Sequence, residues 1–403
     1  MNSHIVLIDN FKGQLQYQLH YGCNDTEVIS IRESNSPSLP QQIGVWHRLQ
    51  DAIVVETLLQ QYDIALTGTG LECLVGDPKY INVIPRLVQE TKIFARIKPQ
   101  MKTWIVQKLM AMGKHVGMTG DGTNDCGALK AAHVGLALSD AEASIVAPFT
   151  SRKKDIKDVI DLIKEGRCAL MTSLVAFKYM VMYPIIDTTL ITVLNHVQAS
   201  FSNNQYLFDD LIVVLGLSVL MLRTGPSSEL SKDRPPNSLF APSVLWSVAG
   251  QTFLFAFYFT IPQLLAHHQS WFCALPDVIS GNKTCYVFQP NESGDMTVHS
   301  HEVSIVWTTG HLQYLILAFA FNIKDPFRGS AWSNRWFIFY TFVLSILLSI
   351  ILIEPDNWFN TRWLDLTTPL PQAFCYQVFG LFVSNIAAST LFEHILNKWI
   401  IAA

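Results

Sequence analysis

Two aspartates four residues apart, Asp121 and Asp125, lie in the string Met118-Thr119-Gly120-Asp121-Gly122-Thr123-Asn124-Asp125, which continues the short β-like run His115-Val-Gly-Met-Thr. Acidic groups at a strand end, beside glycines that let the backbone approach closely, suit a Mg²⁺ held against a phosphoryl group. Mg²⁺ takes one or two carboxylates together with phosphate oxygens and water, which the two aspartates and Asn124 can supply without a full protein cage. An Asp-Gly turn capping a helix explains any two of these residues but not the whole string. Upstream, Phe94-Ala-Arg-Ile-Lys-Pro99-Gln-Met-Lys102 places Lys102 on the first turns of a helix. Helix N-termini favour anions, and an ammonium there adds a charge-assisted contact to phosphate.

A second group of candidate residues lies in apolar sequence. Tyr183 and Asp187 are one helical turn apart on one face, and a charge inside an apolar span is functional by default, either paired or water-exposed. Asp209 and Asp210 project about 100° apart on a regular helix, so one of the two is expected to face a pathway. His311 also falls mid-span and reads as a packed, hydrogen-bonded histidine before a transport ligand. Gly68-Thr-Gly70-Leu-Glu-Cys73 mimics the start of a dinucleotide fingerprint, but its third glycine is missing, and a plain strand-turn-helix connection is expected.

The elements that must hold the first group are short. β-like runs at Ile5-Val-Leu-Ile, Asp63-Ile-Ala-Leu-Thr, Lys92-Ile-Phe-Ala-Arg, His115-Val-Gly-Met-Thr and Val134-Gly-Leu-Ala-Leu alternate with helical patterns, including Pro99 to Met112. Such alternation predicts a parallel α/β sheet with ligands at the carboxyl ends of its strands. Residues 33–43 read as an exposed loop.

The second group needs a membrane. Half of the 403 residues are apolar and 15% are charged, against ~25% in soluble domains. Met1 to Ser173 holds 18 basic and 18 acidic residues, leaving 10 and 14 for the rest. Neither part carries a basic stripe with interleaved aromatics, which sets nucleic acid aside as a partner. Six apolar stretches follow, at 174–197, 206–222, 243–266, 303–323, 336–353 and 373–396, each near the ~20 residues that cross a bilayer as a helix. Lipid is therefore an expected partner. Basic residues before the first stretch (Arg152, Lys153, Lys154, Lys157), after the second (Arg223, Lys232, Arg234) and after the fourth (Lys324, Arg328, Arg335) alternate with nearly bare loops. That bias places the N-terminal part and the C-terminus in the cytosol.

The bare loop from His267 to His301 carries two glycosylation sequons, at Asn282 and Asn291, and two cysteines, Cys273 and Cys285, which suit an extracytoplasmic loop. Asn24 begins a third sequon in the expected cytosolic part. The seven cysteines form no CxxC pair, and no histidine cluster has zinc-like spacing. The N-terminus lacks the basic start and apolar run of a secretory signal.

With these residues in view, the chain resembles the P-type ATPases, whose hinge motif reads TGDGxND followed by GALK or PALK. Cys126-Gly-Ala-Leu-Lys-Ala-Ala-His133 and Leu138-Ser-Asp-Ala-Glu-Ala-Ser144-Ile-Val-Ala-Pro-Phe-Thr-Ser151 resemble the type V subfamily, and its B branch of polyamine-transporting or cation-transporting ATPases. Phe177-Lys-Tyr-Met180, Leu222-Arg-Thr-Gly-Pro226, Arg234-Pro-Pro236, Gln313-Tyr-Leu-Ile316 and Pro326-Phe-Arg328 extend the similarity, which covers residues 63–353 well.

The resemblance implies an α/β plus multi-pass α-helical membrane fold. It would comprise a remnant of a nucleotide-binding domain and connection (1–62), the C-terminal half of a haloacid-dehalogenase-like phosphorylation domain (63–151), a cytosolic linker (152–173) and six transmembrane helices (174–403). It also implies ATP and Mg²⁺ as cofactors, Asp121 and Asp125 at the metal, Lys102 and Asn124 on phosphate, and Tyr183, Asp187 and Asp210 along the path of a polyamine or other cation moved from lumen to cytosol. The family has an amide where Asp187 stands. An endolysosomal or other endomembrane location is implied as well. The phosphorylated aspartate of DKTGT is absent, so the chain by itself is expected to be inactive. The alternatives are an A-branch transmembrane-helix dislocase, which usually lacks a cysteine after GDGTND, a membrane-anchored phosphatase, which would need its own nucleophilic aspartate, and a non-enzymatic membrane subunit.

Overall fold

Alternation of apolar and polar residues makes the first strands. In β1 (His4–Phe11) Val6 and Ile8 are buried, and in β2 (Gln14–Tyr21) Leu15 and Tyr17 are buried, so one face of the hairpin meets the core. The computed structural model describes residues 4–11, 14–21, 47–49, 51–138, 145–286, 288, 297–323, 325–368 and 370–402. These form two units, Met1–Ile160 and Asp161–Ala403. The loop expected over 33–43 and the sequons at Asn24 and Asn291 lie outside the described residues.

In the first unit, β3 (His47–Arg48), β4 (Asp63–Thr67) and β5 (Thr91–Ala95) join the hairpin in one sheet of order β3-β2-β1-β4-β5. β1 pairs in parallel with β4, and β4 with β5. The expected parallel α/β arrangement is present, with an antiparallel edge that the sequence reading did not foresee. Because β1 and β4 are direct neighbours, a boundary drawn at residue 62 would cut through one sheet. Helices α1 (Ala52–Gln61), α2 (Gly68–Gly76), α3 (Ile84–Glu90) and α4 (Pro99–Ala111) cover it, closing a core of Val6, Ile8, Val55, Leu58, Leu66, Leu71 and Leu87.

The Gly68-Thr-Gly70 segment is the expected strand-turn-helix connection. The Asp9 carboxylate accepts from the Thr67 and Thr69 hydroxyls at 2.5 and 2.8 Å, and Thr67 caps α2 by accepting from the Gly70 N–H. A Cβ at Gly68 would meet the Arg96 carbonyl oxygen at 2.5 Å, so only glycine fits there. Burial alone would raise the Asp9 carboxyl, but these hydroxyls and the Asn10 N–H hold it below its ordinary value.

A second, fully parallel sheet orders β6 (Gly117–Gly120), β7 (Val134–Ala137) and β8 (Phe149–Thr150), with α5 (Cys126–Ala131) crossing from β6 to β7.

The second unit has six helices long and apolar enough to cross a membrane: α6 (Asp158–His196), α7 (Asn203–Met221), α8 (Pro242–His267), α9 (His301–Ala320), α10 (Arg335–Ile353) and α11 (Gln372–Lys398). Each overlaps one expected span. The first begins at Asp158 rather than Leu174, so much of the stretch expected as a linker over 152–173 is helical. Its opening turns carry Lys164, Glu165 and Arg167, which a hydropathy reading passes over.

α9 is the hub, with 89% of its apolar window buried, whereas the other five keep faces studded with exposed residues such as Trp246, Phe253, Phe339 and Phe342. Such all-apolar outer faces are what hydrocarbon accepts. Phe208 to Val214 of α7 is wound as a π-helix, with ordinary α-helix before and after it. Outside the bilayer-length helices, Cys273 and Cys285 are joined in a disulfide with Cα atoms 6.4 Å apart, and Asn282 between them is exposed.

Candidate functional site

The hinge loop of the first unit begins where β6 ends. The Gly120 carbonyl accepts from Leu138 N–H, which ties the strand end to β7, and Asp125 N–H closes a turn onto the Gly122 carbonyl. Asp121 and Asn124 are exposed at the carboxyl end of the strand. Asp125 is buried beneath the loop. A Cβ on Gly120 would lie 2.6 Å from the Asp125 Cβ and 2.8 Å from its Oδ2, so the glycine is what allows the carboxylate to tuck under the strand end.

Lys102, one turn into α4, donates to Asp125 Oδ1 at 2.8 Å. The two residues singled out on separate grounds, a phosphate lysine and a metal aspartate, are therefore partners. Asp125 holds the ammonium in place, and Asp121 is left as the carboxylate that faces outward. One outward carboxylate fits Mg²⁺, which prefers few protein ligands and fills its octahedron from water and phosphate. Among the described residues no group of three or more His, Cys, Asp or Glu is arranged to cage a metal.

The second unit carries three of its membrane carboxylates, Asp187, Asp209 and Asp210, on α6 and α7. Tyr183 donates to Asp210 Oδ1 at 2.8 Å, which unites two of the residues expected along a pathway. Asp187, one turn along α6, is half-buried and close enough to Asp210 for the two charges to act on each other. Pro184 stands inside α6 between them and cannot donate to the Met180 carbonyl, so a polar backbone group is freed beside Tyr183. Among the described residues no lysine or arginine pairs with Asp187, Asp209 or Asp210.

Asp209, one residue earlier, turns into the bundle. It is buried, and its Oδ2 accepts from the Trp307 indole N–H at 2.9 Å. His311 is packed as expected, stacked on Trp307 with its Nδ1 2.6 Å from the Trp307 carbonyl oxygen. Two further sites of this unit escaped the sequence reading. Lys178 pairs with Glu393 at 3.2 Å, where Ser247 and Gln251 also bind the carboxylate. Arg328 is held by Asp325 at 2.6 Å, by Asn322 and by the Phe321 carbonyl. The first was hidden because its partners lie on separate helices, 69 to 215 positions apart.

An aspartate loop at a parallel strand end, carried on a chain that continues into six apolar helices with carboxylates on the first two, is the organisation of a P-type ATPase. No protein-family profile matches the chain. Individual proteins do. It is 31% identical over 334 residues to human polyamine-transporting ATPase 13A3, which covers 81% of this chain and 27% of that protein. It is 34% identical over 339 residues to mouse polyamine-transporting ATPase 13A2, covering 84% and 28%. It is 29% identical over 349 residues to the vacuolar cation-transporting ATPase YPK9 of Saccharomyces cerevisiae, covering 86% and 23%. The chain belongs to the 13A group of P-type ATPases, and it spans about a quarter of the length of the curated relatives it matches. It is a multi-pass membrane protein.

Proposed function

We propose that this chain supplies the hinge loop and the cation pathway of an ATP-driven transporter that moves a polyamine or related organic cation from the lumen of an endolysosomal compartment to the cytosol. The observation that carries the reading is the Lys102–Asp125 clamp under Gly120, which leaves Asp121 outward at the end of β6. In this arrangement Lys102 contacts phosphate from a fixed position, Asn124 donates its amide to the same group, and Asp121 holds Mg²⁺, which supplies charge neutralisation to the phosphoryl oxygens when bound. Asp125, assigned to the metal on sequence grounds, positions Lys102 instead. The 403 residues contain no DKTGT string, so the reading takes the phosphorylated aspartate from polypeptide outside them.

The loop charge bias supports a cytosolic first unit, where ATP is available, and a lumenal 267–301 loop with its disulfide and Asn282. Tyr183, Asp187 and Asp210 are the polar stations on the cation's route. In the complete transporter, Asp121→Asn is expected to abolish Mg²⁺-dependent phosphoenzyme while the protein still folds. A normal phosphoenzyme level in that variant removes Asp121 from the metal site.

A further inference from the structure

Among the described residues, several buried side-chain atoms of the membrane unit have no hydrogen-bond partner, three of them on Asp209, Tyr179 and His311. Asp209 Oδ1 is one, on a residue 9% exposed; the Tyr179 hydroxyl, on a residue 1% exposed, is the second; His311 Nε2, on a residue fully enclosed, is the third. Trp307 links the first and the last, since it donates to Asp209 Oδ2 and stacks on the His311 ring with centroids 4.2 Å apart. Tyr179 lies within electrostatic reach of Asp209, as do Tyr314, Tyr206 and Tyr183.

Buried polar atoms are almost always paired, and an isolated carboxylate in a low-dielectric interior is among the costliest exceptions. The unmatched atoms share a chemistry. A carboxylate oxygen accepts, a hydroxyl can accept, and His311 Nε2 accepts in the neutral ring once Nδ1 donates to the Trp307 carbonyl. What such a set lacks is a donor, and beside the carboxylate a positive charge. A group with several N–H donors and a positive charge is an ammonium.

The winding of α7 is what brings Asp209 to this position. Its π-helical stretch from Phe208 to Val214 begins just before Asp209, and inserted π-turns recur at functional sites. On this stretch Asp210 reaches Tyr183, while Asp209 reaches Trp307 on the hub helix α9. Adjacent carboxylates therefore serve two directions, one on the exposed side of α7 and one inside the bundle.

We propose that Asp209, with the Tyr179 hydroxyl, forms an inner ammonium-binding point separate from Tyr183, Asp187 and Asp210, so that the pathway selects amines carrying two or more cationic centres over those carrying one. Trp307 is a positioning residue, because its N–H orients the carboxylate so that Oδ1 stays unengaged. The inference rests on the cation-pathway reading above.

The test uses the complete transporter, with stimulation of ATP turnover measured against butylamine, 1,4-diaminobutane and spermidine. Asp209→Asn is expected to raise the half-stimulating spermidine concentration about tenfold or more and to collapse the preference for spermidine over butylamine. Tyr179→Phe removes a hydroxyl without a hydrogen-bond partner among the described residues, so its thermal stability without amine should be equal or higher while its spermidine response weakens several-fold. Unchanged responses in both variants, with Asp210→Asn still impaired, would overturn the inner site and leave the transport reading standing. A wild-type protein that responds to no amine would overturn both.

Discussion

Each half of the molecule holds a lysine against a carboxylate, and the two pairs differ in what surrounds them. Lys102 meets Asp125 at 2.8 Å with side chains 33% and 12% exposed. Water screens such a pair, whose net worth is ~0–1 kcal/mol, so what matters is where it puts the ammonium. Lys178 meets Glu393 at 3.2 Å with side chains 12% and 2% exposed. The Glu393 carboxylate also accepts from Ser247 at 2.7 Å and Gln251 at 3.2 Å, and Lys178 lies 4.4 Å above the Phe321 ring. With both charges out of water, each depends on the other, and the cluster pins α6, α8 and α11 together. The same pairing fixes an ammonium beside a loop in one half and locks helices in the other.

The sharpest test breaks the membrane pair. Lys178→Met or Glu393→Gln alone should cost ~3–5 kcal/mol, because a buried charge or acceptor set is left uncompensated, while Lys178→Met with Glu393→Leu should recover most of it. Thermal unfolding in detergent reads this. Single variants that lose no more than a surface pair would end the contrast.

Next in size is Gly120→Ala. The added methyl must displace the Asp125 side chain, and ~1–3 kcal/mol of lost stability in the first unit is expected, read by chemical denaturation with a probe in that unit. The contrast sharpens with Lys102→Ala. Its stability cost should stay within ~1 kcal/mol, yet phosphoenzyme formation in the complete transporter should fall about 10²-fold, as when one preorganised donor to a reacting oxyanion is removed. A stability loss as large as that of Lys178→Met would make the two pairs equivalent.

The smallest effect lies at Asp9. Its carboxyl is held below the ordinary value, so its contribution is complete above the unfolded-state value near ~3.9 and is lost as pH falls through the folded value. Asp9→Asn should therefore lower amide-exchange protection in β1 and β4 at neutral pH toward the level the wild type shows in acid, and so flatten the acid limb. An unaltered acid limb would show that the Thr67 and Thr69 hydroxyls do not favour the charged form.

Local period and local chemistry were enough to find the six spans, the parallel strands β4 to β7 and the loop from Gly120 to Asp125, because each is written in consecutive residues. A twenty-residue apolar run or a glycine between two aspartates carries its meaning without knowledge of distant neighbours. Partner choice does not. That β1 would join β4, that Asp125 would bind Lys102 twenty-three positions away and that Asp209 would meet Trp307 ninety-eight positions away are outcomes of packing. Helical spacing separates Asp209 from Asp210 but does not say which distant group each meets; the π-wound stretch of α7 sends one to Trp307 and the other to Tyr183. Hydropathy likewise marks where α6 can enter lipid but not where its hydrogen-bonded turns begin, since the polar residues from Asp158 onward satisfy a helix equally well in water. Side-chain periodicity is a property of the chain itself, whereas the pairing of buried polar groups depends on which surfaces the closed bundle brings within hydrogen-bond reach.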